Sequence, residues 1–114
     1  MRRYLLAAAL TIFLGGCAST QGNLYWGSYS STLYDLKKEP SEQTRGAHIE
    51  SLQDIISKST AKSLRIPPGV YAELGQMMLE DGNTPEGSKY LSLEVSTYPE
   101  SAKLVAIIQQ RIAG

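Results

Sequence analysis

Residues 68–101 read PGVYAELGQMMLEDGNTPEGSKYLSLEVSTYPES, and their spacing marks an all-α chain. Val70, Tyr71, Leu74, Met77 and Met78 recur at steps of three and four, the period of one helix face. They predict a helix from about Pro68 to Asp81, with Pro68 in its first turn, where a missing N–H costs nothing. Gly82-Asn83 stops it with residues that tolerate a left-handed backbone. Thr84-Pro85-Glu86 then opens a second helix: hydroxyl cap, proline in the first turn, acid at the positive end of the dipole. That helix carries Tyr90, Leu91 and Val95 and ends near Tyr98. Pro99-Glu100-Ser101 opens another, striped by Leu104, Val105, Ile108 and Ile112.

Upstream, two more helices are expected. Trp26, Tyr29, Leu33 and Leu36 step by three, four and three over residues 24–38, with Lys37 and Lys38 at the C-terminal end. Residues 41–60 carry the stripe Ile49, Leu52, Ile55 and Ile56. Residues 61–69 connect to the hairpin, extended before Pro67. The fold class is therefore all-α: a small bundle of about five helices in one domain, residues 24–114.

The hairpin resembles a tetratricopeptide repeat over residues 68–101. That motif runs W-x2-L-G-x2-Y, then A-x3-F, then P, in 34 residues. Tyr71, Leu74-Gly75, Met78, Gly87, Leu91 and Pro99 keep its size classes in order. Small residues at Gly75 and Gly87 would let two antiparallel helices approach closely. Glu94 occupies a further small position of the motif, which argues against close packing of the next helix there. The resemblance implies a ligand face on the first helix of the pair, here Gln76, Leu79 and Glu80.

The chain starts with a different kind of signal. Met1-Arg2-Arg3 is basic, Leu5 to Leu14 is apolar and uncharged, and Leu14-Gly15-Gly16-Cys17 follows. This is the three-part layout of a secretory leader. Ten apolar residues span roughly 15 Å as a helix, too short for a ~30 Å hydrocarbon core. The Leu-Gly-Gly-Cys site resembles a bacterial lipobox. The resemblance implies a cleaved lipoprotein signal peptide over residues 1–16 and lipidation of Cys17, the only cysteine. Residues 17–23 would then be the lipidated Cys and a short tether. Ala18, rather than Asp, follows the cysteine, which by analogy with Gram-negative lipoproteins implies the periplasmic face of the outer membrane. Six residues from Ala18 to Asn23 reach at most roughly 20 Å, so the domain should sit close to the bilayer.

The whole pattern also resembles a family of proteobacterial lipoproteins defined by a domain of unknown function. The resemblance rests on Cys17, Tyr25 to Tyr29, Ile66 to Gly75 and Tyr98 to Ser101. It implies a role in envelope assembly and brings no activity or site residues.

Composition excludes other classes. Eleven basic and eleven acidic residues balance over 114, and without Arg2 and Arg3 the balance is about −2. No basic field exists to hold nucleic acid. His48, the only histidine, cannot make a zinc site alone and is expected on the surface or partly buried. Glu50 and Asp54 sit four apart with no third ligand, so no metal and no cofactor is expected; Asp54 and Lys58 form a favourable pair. No nucleophile elbow is present. Glu80, Asp81 and Glu100 are helix-end acids, which dipoles favour without catalysis.

The expectation is thus a non-enzymatic, membrane-anchored binding module for another envelope protein or lipoprotein. Its candidate contact residues are Gln76, Leu79, Glu80, Trp26 and Tyr29. The aromatic segment from Tyr25 to Tyr34 is either core or contact surface. Alternatives are a cell-wall-directed enzyme or enzyme regulator, and a structural small lipoprotein.

Overall fold

The computed structural model describes residues 23–114 and is all-helical there. The expected leader and lipobox, with Cys17, lie outside the described residues. Five α-helices follow one another: α1 Tyr29–Lys38, α2 Glu42–Ala61, α3 Val70–Glu80, α4 Thr84–Thr97 and α5 Ala102–Ala113. A short 3-10 turn, Pro99–Ser101, leads into α5.

The central element is α3. Its Val70, Leu74 and Met77 join Leu52 and Ile55 of α2, and Ile66 of the connector, in one buried cluster. Its Ala72 turns the other way, to Leu91 of α4 and to Val105 and Ile108 of α5. The periodic residues of α2 behave as their spacing predicts: Leu52 and Ile55 are fully buried, and Ile49 and Ile56 flank them.

The α3–α4 hairpin is held by two glycines. A Cβ on Gly87 would lie 2.6 Å from Leu79 Cγ and 2.9 Å from the Gly75 carbonyl. A Cβ on Gly75 would lie 3.0 Å from the Gly87 carbonyl and 2.9 Å from Leu91 Cδ2. The two backbones touch where no side chain intervenes.

Several boundaries differ from the sequence expectation. Residues 23–26 have no regular structure, and α1 starts only at Tyr29, after a turn closed by the Tyr29 N–H donating to the Trp26 carbonyl at 3.0 Å. Gly27 takes a left-handed φ of 49°, which a helix cannot contain, and Trp26 falls outside the helix. Pro68 precedes α3 instead of starting it, because Gly69 takes a left-handed φ of 93° as the N-cap. The N-cap of α4 is Asn83, and Thr84 is already helical. In α5, only Val105 and Ile108 of the expected stripe are buried; Leu104 and Ile112 are exposed, as is Ile107. Here α5 meets its neighbours along a narrow seam.

Both ends of α3 are capped by side chains from other helices. At its N-terminus Glu94, fully buried on α4, accepts from the Gly69 N–H at 3.2 Å and the Ala72 N–H at 3.2 Å. Ser101 donates its hydroxyl to the same carboxylate at 2.9 Å. Glu94 was expected to hinder packing. Instead it draws α3, α4 and the start of α5 together, a negative group at the positive end of a dipole. At the other end Arg45 of α2 donates to the Met77 carbonyl at 3.0 Å and to Asp81 at 2.9 Å.

Among the described residues, no helix is long and apolar enough to cross a membrane.

Candidate functional site

A groove of about 530 Å³ runs between the C-terminal half of α1 and α3, with Arg45 of α2 at one side. Its apolar lining is Leu33, Leu36 and Met77; its polar lining includes Glu73, Gln76 and Glu80. A volume of that order suits a few side chains of a ligand.

Behind the groove lies a chain of polar side chains. Tyr29 donates its hydroxyl to Glu73 Oε2 at 2.6 Å. His48 Nε2 meets Glu73 Oε1 at 2.5 Å, and His48 Nδ1 meets Thr32 Oγ1 at 2.8 Å. A carboxylate only accepts, so Nε2 carries the hydrogen, and in the neutral ring Nδ1 accepts from the Thr32 hydroxyl. Three helices are tied by four side chains: Tyr29 and Thr32 on α1, His48 on α2, Glu73 on α3. Tyr29 also tilts its ring against His48 at 5.2 Å. Burial, then the hydrogen bond to Glu73 and that group's charge, push the Tyr29 hydroxyl well above its usual range.

This order of groups, hydroxyl to imidazole to carboxylate, is the order used in nucleophilic hydrolases. Such a relay needs an imidazole that substrate can reach. His48 is fully buried, and Thr32 Oγ1 also lies 3.2 Å from the Ser28 and Tyr29 carbonyls of its own helix. The arrangement serves as a brace. It leaves one face of Glu73 in the groove, 29% exposed.

The residues singled out from sequence separate into three groups. Gln76 and Glu80 come together in the groove. Leu79 does not: it packs against Gly87 in the hairpin seam. Tyr29 joins the brace, while Trp26, 39% exposed, rests edge-on against it at 5.2 Å. The aromatic segment is therefore divided. Tyr25 and Tyr29 pack on the core, and Trp26 and Tyr34 face solvent.

The expected surface or partly buried position of His48 is corrected, since the side chain has no exposed surface. Its sequence signal was its place four residues before Leu52 and seven before Ile55, inside the apolar stripe. Glu73 has the same kind of signal, between Val70 and Met77; Thr32 has none, and the roles of both depend on His48, 25 and 16 residues away.

Glu80 and Asp81 pair with Arg45 at 3.4 and 2.9 Å. Asp54 pairs with Lys58 at 3.3 Å, as their spacing predicts, and accepts from the Tyr25 hydroxyl at 2.9 Å. The Tyr25 hydrogen bond, with Lys58 beside it, holds the Asp54 carboxyl below its usual range. Among the described residues no three His, Cys, Asp or Glu side chains cluster as metal ligands would.

No curated protein and no solved structure matches the chain. A family profile does, over residues 24–108, which takes in α1 to α4 and most of α5. The match covers the groove, the brace and both caps of α3, so the chain belongs to the family described as domain of unknown function DUF4810.

Proposed function

We propose that this is a lipid-anchored binding module, held by Cys17 on the periplasmic face of the outer membrane, whose α1–α3 groove takes a segment of another envelope protein. The observation that carries the reading is the groove itself. Gln76 and Glu80, singled out by likeness to the ligand face of a tetratricopeptide repeat, line it together with Leu33, Leu36 and Met77. The glycine contact between α3 and α4 supports that helical-repeat likeness. The lipobox and the brief tether support the membrane address.

The groove's chemistry suggests the kind of segment. Apolar side chains would seat on Leu33, Leu36 and Met77. A hydrogen-bond donor or a cation would meet Glu73, whose carboxylate has unused lone pairs.

Affinity capture of the lipidated protein from envelope extracts, with and without Gln76→Ala plus Glu80→Ala, tests the face. Loss of a partner in the double variant is the expected result; an unchanged set of partners removes this groove from consideration. Metabolic labelling with a palmitate analogue, comparing the wild type with Cys17→Ala, tests the anchor separately.

A further inference from the structure

The chain enters the domain at Leu24 to Trp26, ahead of α1 and outside the groove lining. That entry point has its own surface chemistry. Leu24 and Trp26 are 38% and 39% exposed. Tyr25, between them, lies under two ammonium groups: Lys62 Nζ is 4.8 Å and Lys58 Nζ 5.8 Å from its ring centre. The side chain of Lys58 is 55% exposed, and Lys62 is also exposed. One carboxylate is close, that of Asp54, and it is engaged by the Tyr25 hydroxyl and Lys58. The patch thus combines two protruding apolar side chains with a net positive charge.

We propose that this patch is a second membrane contact, in which Leu24 and Trp26 enter the headgroup layer of an anionic bilayer while Lys58 and Lys62 meet its phosphates. The inference rests on anchoring at Cys17. Leu24 is the seventh residue after that cysteine, a reach of at most roughly 25 Å, so the patch cannot leave the neighbourhood of the bilayer. The exposed apolar residues of α5 carry no such constraint. An indole has an apolar body and a polar N–H, which suits it to the boundary between water and lipid. Lysines lay their stems along an apolar surface and keep the charge in water. Their attraction to anionic lipid falls off over a Debye length of about 10 Å, and a reach of roughly 25 Å keeps the patch within a few such lengths, so that short excursions bring it into range.

The contact would fix the orientation of the groove. A helix rises 1.5 Å per residue, so Leu36, seven residues beyond Tyr29, stands about 10 Å along α1 from the docked end. A domain on a loose tether would tumble and present its groove in all directions. A docked one holds it at one orientation to the lipid.

Trp26 is the only tryptophan, so its fluorescence reports the contact directly. The test uses the full chain, both lipidated and as Cys17→Ser. The probes are vesicles of phosphatidylethanolamine and phosphatidylglycerol, brominated at shallow acyl positions, against vesicles of phosphatidylcholine alone. On anionic vesicles, Trp26 emission should move to the blue and be quenched by the bromines. Each lysine close to an anionic surface changes the ratio of docked to undocked protein about fivefold. Lys58→Glu with Lys62→Glu should therefore lower that ratio more than tenfold, with helix content unchanged by circular dichroism.

Emission that stays at its aqueous position on both kinds of vesicle overturns the proposal. So does quenching indifferent to lipid charge and to lysine reversal, since the leader or anchor alone would then carry it. A blue shift that grows with protein concentration in the absence of lipid assigns the patch to a second copy of the chain, and also overturns it. Failure of the anchor reads separately, as absence of palmitate-analogue labelling. Charge-dependent docking of the Cys17→Ser chain would still support the contact in that case.

Discussion

The two sides of α3 are joined to their neighbours by different physics. Toward α4 the contact is dry and close: Gly75 and Gly87 bring the backbones together, and Leu79 and Leu91 fill the space beside them. Toward α1 and α2 an apolar cluster is completed by a polar chain, Tyr29–Glu73–His48–Thr32, that ends at the groove. A close-packed seam admits nothing and resists change of volume. A polar brace sets directions and distances while leaving part of Glu73 wet. The difference teaches a division of labour: the hairpin is a platform, and the helix laid against its other side shapes the groove.

The strongest way to break the platform is at its buried carboxylate. Glu94→Ala orphans the Gly69 and Ala72 N–H groups and the Ser101 hydroxyl at once, and removes the negative group from the start of α3. Unsatisfied buried donors cost about 1–3 kcal/mol each, and part of that is recovered by water, so a loss of about 3 kcal/mol is expected in urea unfolding. A loss under half that would mean the hairpin holds without the cap. Next comes the glycine contact. Gly87→Val places branched carbon where even a Cβ would sit 2.9 Å from the Gly75 carbonyl. Overpacking costs about 1–3 kcal/mol, and the better helix propensity of valine offsets only a few tenths, so a loss of about 2 kcal/mol is expected by thermal unfolding. If the variant is as stable as the wild type, the close approach is not a requirement of the fold.

The same contrast separates what could be read along the chain from what could not. The platform was largely legible. Its helices announce themselves by apolar period, and Gly75 and Gly87 stand where a helical-repeat pattern wants small residues. The brace was not. Period counting sorts residues into apolar and polar, and it discards a polar side chain lying within the stripe. His48 in line with Leu52 and Ile55, Glu73 between Val70 and Met77, and Glu94 three residues after Leu91 were all such cases. A polar residue at a core position signals that some partner must exist. Which partner is a matter of how three helices cross. The start of α1 is hidden for a related reason: the steps from Trp26 to Tyr29 fit a helix, but Gly27 adopts a left-handed φ of 49°, so the backbone turns first. The phase of α5 was misjudged because a terminal helix with a narrow seam buries only part of an apolar stripe.

The smallest expected effect is also the one most specific to the brace. Tyr29→Phe keeps the ring against His48 and Trp26 but removes the hydroxyl from Glu73, which retains its contact with His48. One lost hydrogen bond in a half-buried setting costs about 1 kcal/mol at neutral pH. The pH dependence carries the finer information. The Tyr29 hydroxyl is raised above its ordinary value of 10.0 in the folded protein, chiefly by burial and then by Glu73. Below that value tyrosine is neutral in both states, and the contribution of Tyr29 is fully present. Above it, the unfolded chain releases the proton while the folded one holds it, so stability falls as pH rises. Wild-type stability, followed by urea unfolding from pH 8 to 11, should therefore decline more steeply at the alkaline end than that of Tyr29→Phe, which has no proton to lose. Burial raises the Tyr71 hydroxyl as well, so some slope remains in the variant. Two parallel profiles would mean that the Tyr29 hydroxyl is as free in the fold as in the open chain. The brace would then reduce to His48, and the contrast with the glycine seam would be one of packing alone.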